Sequence, residues 1–147
     1  MPHFAYEGRN ARGELVRGVL EGGSSGAVAE HLRKILKRGD SLAREREHFW
    51  VITLTTNNRV KFVELVSLGT LNASLVHPRE VFRRAIKHGA CSIVVGHNHP
   101  SGNCKPSQED IRLTRQLKES GAIIGIEVLD HVIIGDRTFS FREEGLI

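Results

Sequence analysis

The sequence predicts a mixed α/β fold, a central β-sheet flanked by helices, with a short N-terminal β-hairpin arm. Three observations point there. Short apolar, β-branched runs alternate along the chain with stretches whose apolar residues recur at helical spacing. Two such runs between residues 49 and 66 meet at Asn57-Asn58 and read as a hairpin, so the sheet is not wholly parallel. The run CSIVVGHNHP is almost wholly apolar until its histidines, as a buried central strand is.

The arm comprises residues 1–26. FAYEGRNARGELVRGVL alternates and turns at NARG, which gives strands near 3–8 and 14–20. Gly22, Gly23, Ser24, Ser25 and Gly26 then form a flexible break. The main domain, 27–147, opens with a helix from Ala27 to Lys37 that aligns Val28, Leu32, Ile35 and Leu36, with Gly39 and Asp40 as its stop. HFWVITLTT and VKFVELVSLG are the paired strands. HPREVFRRAIKHGA is a helix opened by Pro78 and closed by Gly89, with Val81, Phe82, Ala85 and Ile86 on one face. SQEDIRLTRQLKESGA is an amphipathic helix with Ile111, Leu113, Thr114 and Leu117 inward and Gly121 at its end. IIGIEVLDHVIIG and RTFSF complete the sheet.

A chain of 147 residues with 39% hydrophobic and 26% charged residues suits one soluble domain that buries a core without disulfides. Its formal charge is +4, compatible with weak nucleic-acid contact but not demanding it. The basic residues Arg33, Lys34, Lys37, Arg38, Arg44 and Arg46 are interrupted by acids and read as a solvated face. Cys91 reads as a small buried residue, and Cys104 lies in a polar loop. No apolar run approaches the roughly 18 residues of a membrane span, and MPHFAYEGRN has no signal-peptide core. The cytoplasm is the expected compartment.

The chemistry concentrates in HNHPSGNCKPSQED. His97 and His99 are two apart and share one face if the strand runs that far. Asp110 lies in the first turn of the following helix, where the loop can return it to the strand end. Two histidines and a carboxylate leave a fourth position for water, the pattern of a catalytic zinc site. Zinc lowers its water's pKa towards about 7. The water then needs a base, for which Glu47 and Glu64 are the upstream choices, and the oxyanion needs a donor, for which Ser107 is placed. Ser107 and Asp110 also read as a capping pair, a role compatible with the first. HxH alone is a weak signal; the carboxylate at a helix start strengthens it. His131 reads as a buried, hydrogen-bonded residue of the core or of the metal's surroundings. His77 belongs to the turn before its helix, His88 suits a helix C-terminus, and His3, His31 and His48 read as surface residues.

His97-x-His99, Pro100-Ser101-Gly102 and Pro106-Ser107-x-x-Asp110 together resemble the JAMM motif of the MPN/JAB superfamily. GTLNASLVHPREVFRRAI, HNHPSG, PSQEDI and LDHVIIG resemble its RadC branch, collinearly to the C-terminus. The resemblance implies a JAB1/MPN-like fold, a bound zinc ion and hydrolysis of a peptide or isopeptide bond in a protein substrate. It implies His97, His99 and Asp110 as ligands and Ser107 as oxyanion donor. It points to Glu47, before the first core strand, as the base, with Glu64 second. RadC-like proteins have been called DNA-repair proteins, so a DNA-associated binding module or metal-dependent nuclease is the alternative. The helix-hairpin-helix unit of longer members is not present in this sequence. A non-catalytic scaffold is disfavoured by the intact motif, and a zinc deaminase by the missing HxE and PCxxC pattern. Residues 1–30 resemble the N-terminus of type IV pilus and type II secretion inner-membrane platform proteins. That implies a segment acquired by fusion, expected to be loosely attached and remote from catalysis.

Overall fold

A computed structural model describes residues 3–9, 15–21, 25–39, 44–69 and 76–147 of the chain, the first two segments as backbone only. Its strands are β1 (His3–Arg9), β2 (Leu15–Glu21), β3 (Glu47–Leu54), β4 (Val60–Gly69), β5 (Ser92–Asn98), β6 (Glu127–Ile134) and β7 (Thr138–Ser140). Its helices are α1 (Ser25–Arg38), α2 (Pro78–Lys87) and α3 (Gln108–Ile124). The strands form one mixed sheet in the order β2-β1-β4-β3-β5-β6-β7. β3 runs antiparallel to both β4 and β5, whereas β5 and β6 are parallel.

Alternation along the strands builds two cores. Trp50, Ile52, Val94, Val132 and Ile134 pack with Val28 and Leu32 of α1 on one face. Phe49, Val51, Ile93, Val95 and Val128 pack with Val81, Phe82 and Ala85 of α2 and Leu113 and Leu117 of α3 on the other. β5 is buried along its whole length because helices cover both its faces.

The arm differs from a loose appendage. β1 pairs in parallel with β4 through Glu7, Gly8 and Arg9, and β2 pairs with β1. An uncovered β4 edge would present unpaired backbone groups, and β1 covers the part of it at Phe62, Val63 and Glu64.

Several local expectations are corrected. α3 passes through Gly121 and ends at Gly125, whose φ of +87° is the left-handed cap that glycine adopts readily. Gly121 is a packing residue instead: a Cβ there would collide with the Ile126 carbonyl and meet Phe82. Cys91 is exposed rather than buried. His31 and His48 are buried rather than on the surface. His31 lies on α1 beside the core residue Leu32, and His48 stacks on Trp50 with centroids 5.2 Å apart. The side chain of His3 lies outside the described residues. No helix among the described residues is long and apolar enough to cross a membrane.

Candidate metal centre

The site forms where the C-terminal end of β5 meets the start of α3. Phe49 pairs with His97, which places the His97 ring on the α2/α3 face of the sheet. The strand ends at Asn98, one residue short of His99. The His99 amide nevertheless donates to the Ile134 carbonyl at 2.8 Å, so the chain stays on β6 for one more bond. The loop then folds onto the β6–β7 turn, where the Asp136 amide donates to Gly102 O at 2.7 Å. Gly102 has φ +89°, and a Cβ there would lie 2.7 Å from both Asp136 carboxylate oxygens, so this return requires glycine.

The loop delivers Ser107 to the N-cap of α3. Its Oγ accepts from the Asp110 amide at 3.0 Å, and Asp110 Oδ2 accepts from the Ser107 amide at 2.8 Å. This reciprocal capping box was legible in the sequence. It also turns Asp110 inward, where the side chain is 1% exposed.

His97, His99 and Asp110 converge, with one donor atom from each within 4.8 Å of the others. His97 Nε2 lies 3.0 Å from His99 Nε2 and 3.3 Å from Asp110 Oδ1, and His99 Nε2 lies 3.3 Å from Asp110 Oδ2. Ligand atoms held tetrahedrally at about 2.0–2.1 Å from zinc stand about 3.3–3.4 Å apart. Asp110 Oδ1 is buried and accepts no hydrogen bond. An orphaned carboxylate oxygen beside the His97 ring nitrogen, with His99 Nε2 at the other oxygen of the same carboxylate, is what a cation would satisfy, so these residues fit a metal ion of the zinc type.

The electrostatics agree. Burial by itself would raise the Asp110 carboxyl, but the His97 and His99 rings and the Ser107 amide hold it far below the usual carboxylate range. Asp110 in turn raises His99, against the effect of burial and with help from Asn103 O and the Glu47 charge. Burial drives His131 well below its ordinary value.

Glu47 begins β3 on the same face as Phe49 and is half-buried. Its charge reaches His99. Together with Glu45, Arg46, Gly69 and Pro100 it lines an open groove of about 510 Å³. Glu64 is placed elsewhere: its carboxylate holds His88 at 3.1 Å and Arg84 at 3.8 Å, tying α2 to β4. His88 is the C-cap of α2, and His77 is its N-cap, accepting from the Arg79 amide.

Two parts of the site escaped the sequence reading. Asn98, between the two histidines, accepts from the His48 amide at 2.6 Å and donates to Arg46 O at 3.1 Å. The backbone pairing of β3 with β5 stops at Phe49 and His97, and the Asn98 amide extends it to either side of Glu47. Thr114 looked like an ordinary inward helix residue, yet its hydroxyl contacts His131 Nδ1. Only its place one turn after Asp110, facing a buried histidine, could have hinted at this.

A family model described as the RadC-like JAB domain matches residues 22–146. The chain belongs to this family. The RadC-like JAB domain thus takes in α1 and every later element. A second model, the N-terminal domain of type II secretion system protein F, matches residues 1–35 and overlaps it across most of α1. Similar proteins include a "UPF0758 protein" of Desulforudis audaxviator, 57% identical over 103 residues, covering 69% of this chain and 45% of that protein. One from Rubrobacter xylanophilus is 53% identical over 112 residues, 76% of this chain and 49% of the relative. One from Desulforamulus reducens is 51% identical over 123 residues, 83% of this chain and 50% of the relative. This RadC-like JAB chain therefore spans about half the length of the curated relatives it matches.

Proposed function

We propose that the chain is a zinc-dependent hydrolase of a peptide or isopeptide bond. His97, His99 and Asp110 are its metal ligands, Glu47 its general base and Ser107 its oxyanion donor. The observation that carries this reading is the buried Asp110 carboxylate, whose unbonded Oδ1 lies 3.3 Å from His97 Nε2 and whose Oδ2 lies 3.3 Å from His99 Nε2. Membership in the RadC-like JAB family supports it. A bound zinc ion supplies Lewis acidity to the scissile carbonyl and to the attacking water.

This chain's own residues do the rest. The Glu47 carboxylate, at the mouth of the groove, takes a proton from the attacking water and returns it to the leaving amine. The ties of Glu64 to His88 and Arg84 support Glu47 rather than Glu64 in that task. Ser107 Oγ spends a lone pair on the Asp110 amide. Its single O–H proton stays available for the developing oxyanion. Asn98 holds the backbone on both sides of Glu47 and so fixes the base relative to His99.

Elemental analysis of the zinc-loaded protein tests the metal. About one zinc per chain is expected for the unmodified protein, and none for His97→Ala. A metal content near zero in the unmodified protein sinks the reading. Against fluorogenic peptide and isopeptide probes, Glu47→Gln is expected to retain zinc and lose about 10²–10⁴-fold in rate.

A further inference from the structure

We infer that His131 and Thr114 are positioning residues that fix the tautomer of His97, leaving its Nε2 lone pair directed at the metal position. The inference rests on the metal reading above and extends it to residues outside the ligand set. Thr114 Oγ1 lies 2.7 Å from the Asp110 backbone carbonyl and 2.6 Å from His131 Nδ1. His131 Nε2 lies 2.7 Å from His97 Nδ1. Three short contacts thus form one continuous chain, buried throughout.

The proton positions in that chain follow from one end. A carbonyl oxygen only accepts, so the 2.7 Å contact between Thr114 Oγ1 and Asp110 O requires the hydroxyl proton between them. The hydroxyl has no second proton to give, so towards His131 it accepts, and His131 Nδ1 carries N–H. An imidazole with its proton on Nδ1 offers a lone pair on Nε2. His97 Nδ1 must then be the donor across the 2.7 Å contact, and His97 Nε2 is left with its lone pair facing Asp110 and His99. His99 is oriented by a shorter route: its Nδ1 donates directly to Asn103 O at 2.8 Å, which turns its Nε2 towards Asp110 and His97.

The surroundings hold the chain in this form. His131 is fully buried, stacked on Phe141 at 4.7 Å and edge-on to Phe49 at 5.7 Å, and His97 stacks on Phe49. The three contacts are direct, so no water is needed to complete the path. The route also closes on itself: it starts at one ligand, His97, and ends on the backbone of another, Asp110. Reversing it would place a proton on His97 Nε2 and leave two oxygens of Thr114 and Asp110 facing each other at 2.7 Å with nothing between them.

Histidine tautomers in metal-free protein test this directly. Long-range proton–nitrogen correlation spectra are recorded on ¹⁵N-histidine-labelled protein at about pH 9, above the ordinary histidine range. His97 and His131 are both expected with the proton on Nδ1. Thr114→Val removes the hydroxyl without changing shape and is expected to shift population to the Nε2–H form of His97. Its zinc affinity, measured by chelator competition, should fall about 10–100-fold. Thr114→Ser restores the hydroxyl and is expected to restore both. A wild-type His97 carrying its proton on Nε2, or a folded Thr114→Val protein that binds zinc as tightly as wild type, overturns the inference. Failure of the metal reading is seen separately, as absence of zinc from the unmodified protein whatever its tautomers.

Discussion

Replacing Asp110 by Asn separates the observed capping role of this side chain from its proposed role at the metal. Asp110 Oδ2 caps α3 by accepting from the Ser107 amide, and Oδ1 accepts nothing and lies 3.3 Å from His97 Nε2. An Asn side chain keeps the capping oxygen and puts an NH₂ group in place of Oδ1. That group can donate to the His97 lone pair, so in chelator the variant is expected to melt within about 1 kcal/mol of wild type. The anionic ligand is gone, however, and zinc should no longer stabilise the fold. For wild type, zinc at about 100 times its dissociation constant adds about 2.7 kcal/mol. Unfolding entropy near 2.1 cal/mol/K per residue makes that about 9 °C for a chain of 147 residues. Removing a partner outside the ligand set already costs up to about 100-fold in affinity. A loss of that size leaves about 0.4 kcal/mol, or about 1 °C, at the same zinc concentration. Asp110→Ala, which loses the cap as well, should melt lower still in chelator, by about 0.3–1.5 kcal/mol. The assay is scanning calorimetry of the three proteins with zinc and with chelator. A zinc shift in Asp110→Asn equal to that of wild type refutes the assignment. A collapse of the chelated Asn variant would show that the carboxylate serves folding rather than metal.

Ser107→Ala removes the hydroxyl that accepts from the Asp110 amide and should lower stability by about 0.5–2 kcal/mol in denaturant titrations. On a cleavable probe its rate should fall by about 10²–10³-fold. Burial, reinforced by the Arg38 and Lys34 charges, lowers His31 from 6.5 to about 4. A histidine neutral in the fold and protonated when unfolded contributes stability that is fully present above pH 6.5 and lost as pH falls towards 4. His31→Leu, compared with wild type in chelator, should therefore flatten the stability curve in that window; an unchanged slope removes His31 from the account. Truncation of residues 1–22 uncovers the β4 edge that β1 pairs with. Light scattering is expected to show increased self-association while zinc content stays unchanged; loss of zinc would make the arm part of the site.

Periodicity carried the sequence reading furthest. The helices at 78–87 and 108–124 and the buried strand at 92–98 were visible because their apolar spacing must match a two-sided core. The cluster that could hold a metal was legible for a similar reason. A strand end, a glycine-bearing loop and a capping box are local features, and together they place His97, His99 and Asp110 within one short segment. Elsewhere two local signals compete, and only neighbours distant in the chain decide between them. Gly121 looks like a helix stop in isolation, but the Ile126 carbonyl packs where its side chain would be, and Gly125 supplies the cap. His31 and His48 are polar letters in mixed contexts, and only the packing of α1 and Trp50 buries them.

The choice between Glu47 and Glu64 was of the same kind. Both are upstream acids near a strand, and spacing alone leaves them level. Antiparallel pairing of β3 with β5 brings the start of one strand to the end of the other, and so carries Glu47 to the histidines. The same sheet turns Glu64 towards His88 and Arg84 of α2. By itself the sequence determined the elements, the family likeness and the cluster of residues that could hold a metal, because each depends on residues close together in the chain. Tertiary structure alone decided which acid lies near His99, that Asn98 bonds the backbone on either side of it, and that Thr114, His131 and His97 form one line of contacts. Those contacts join residues 17 to 52 positions apart, and a hydrogen bond of under 3.5 Å between distant residues depends on how the strands and helices pack, which local pattern does not encode.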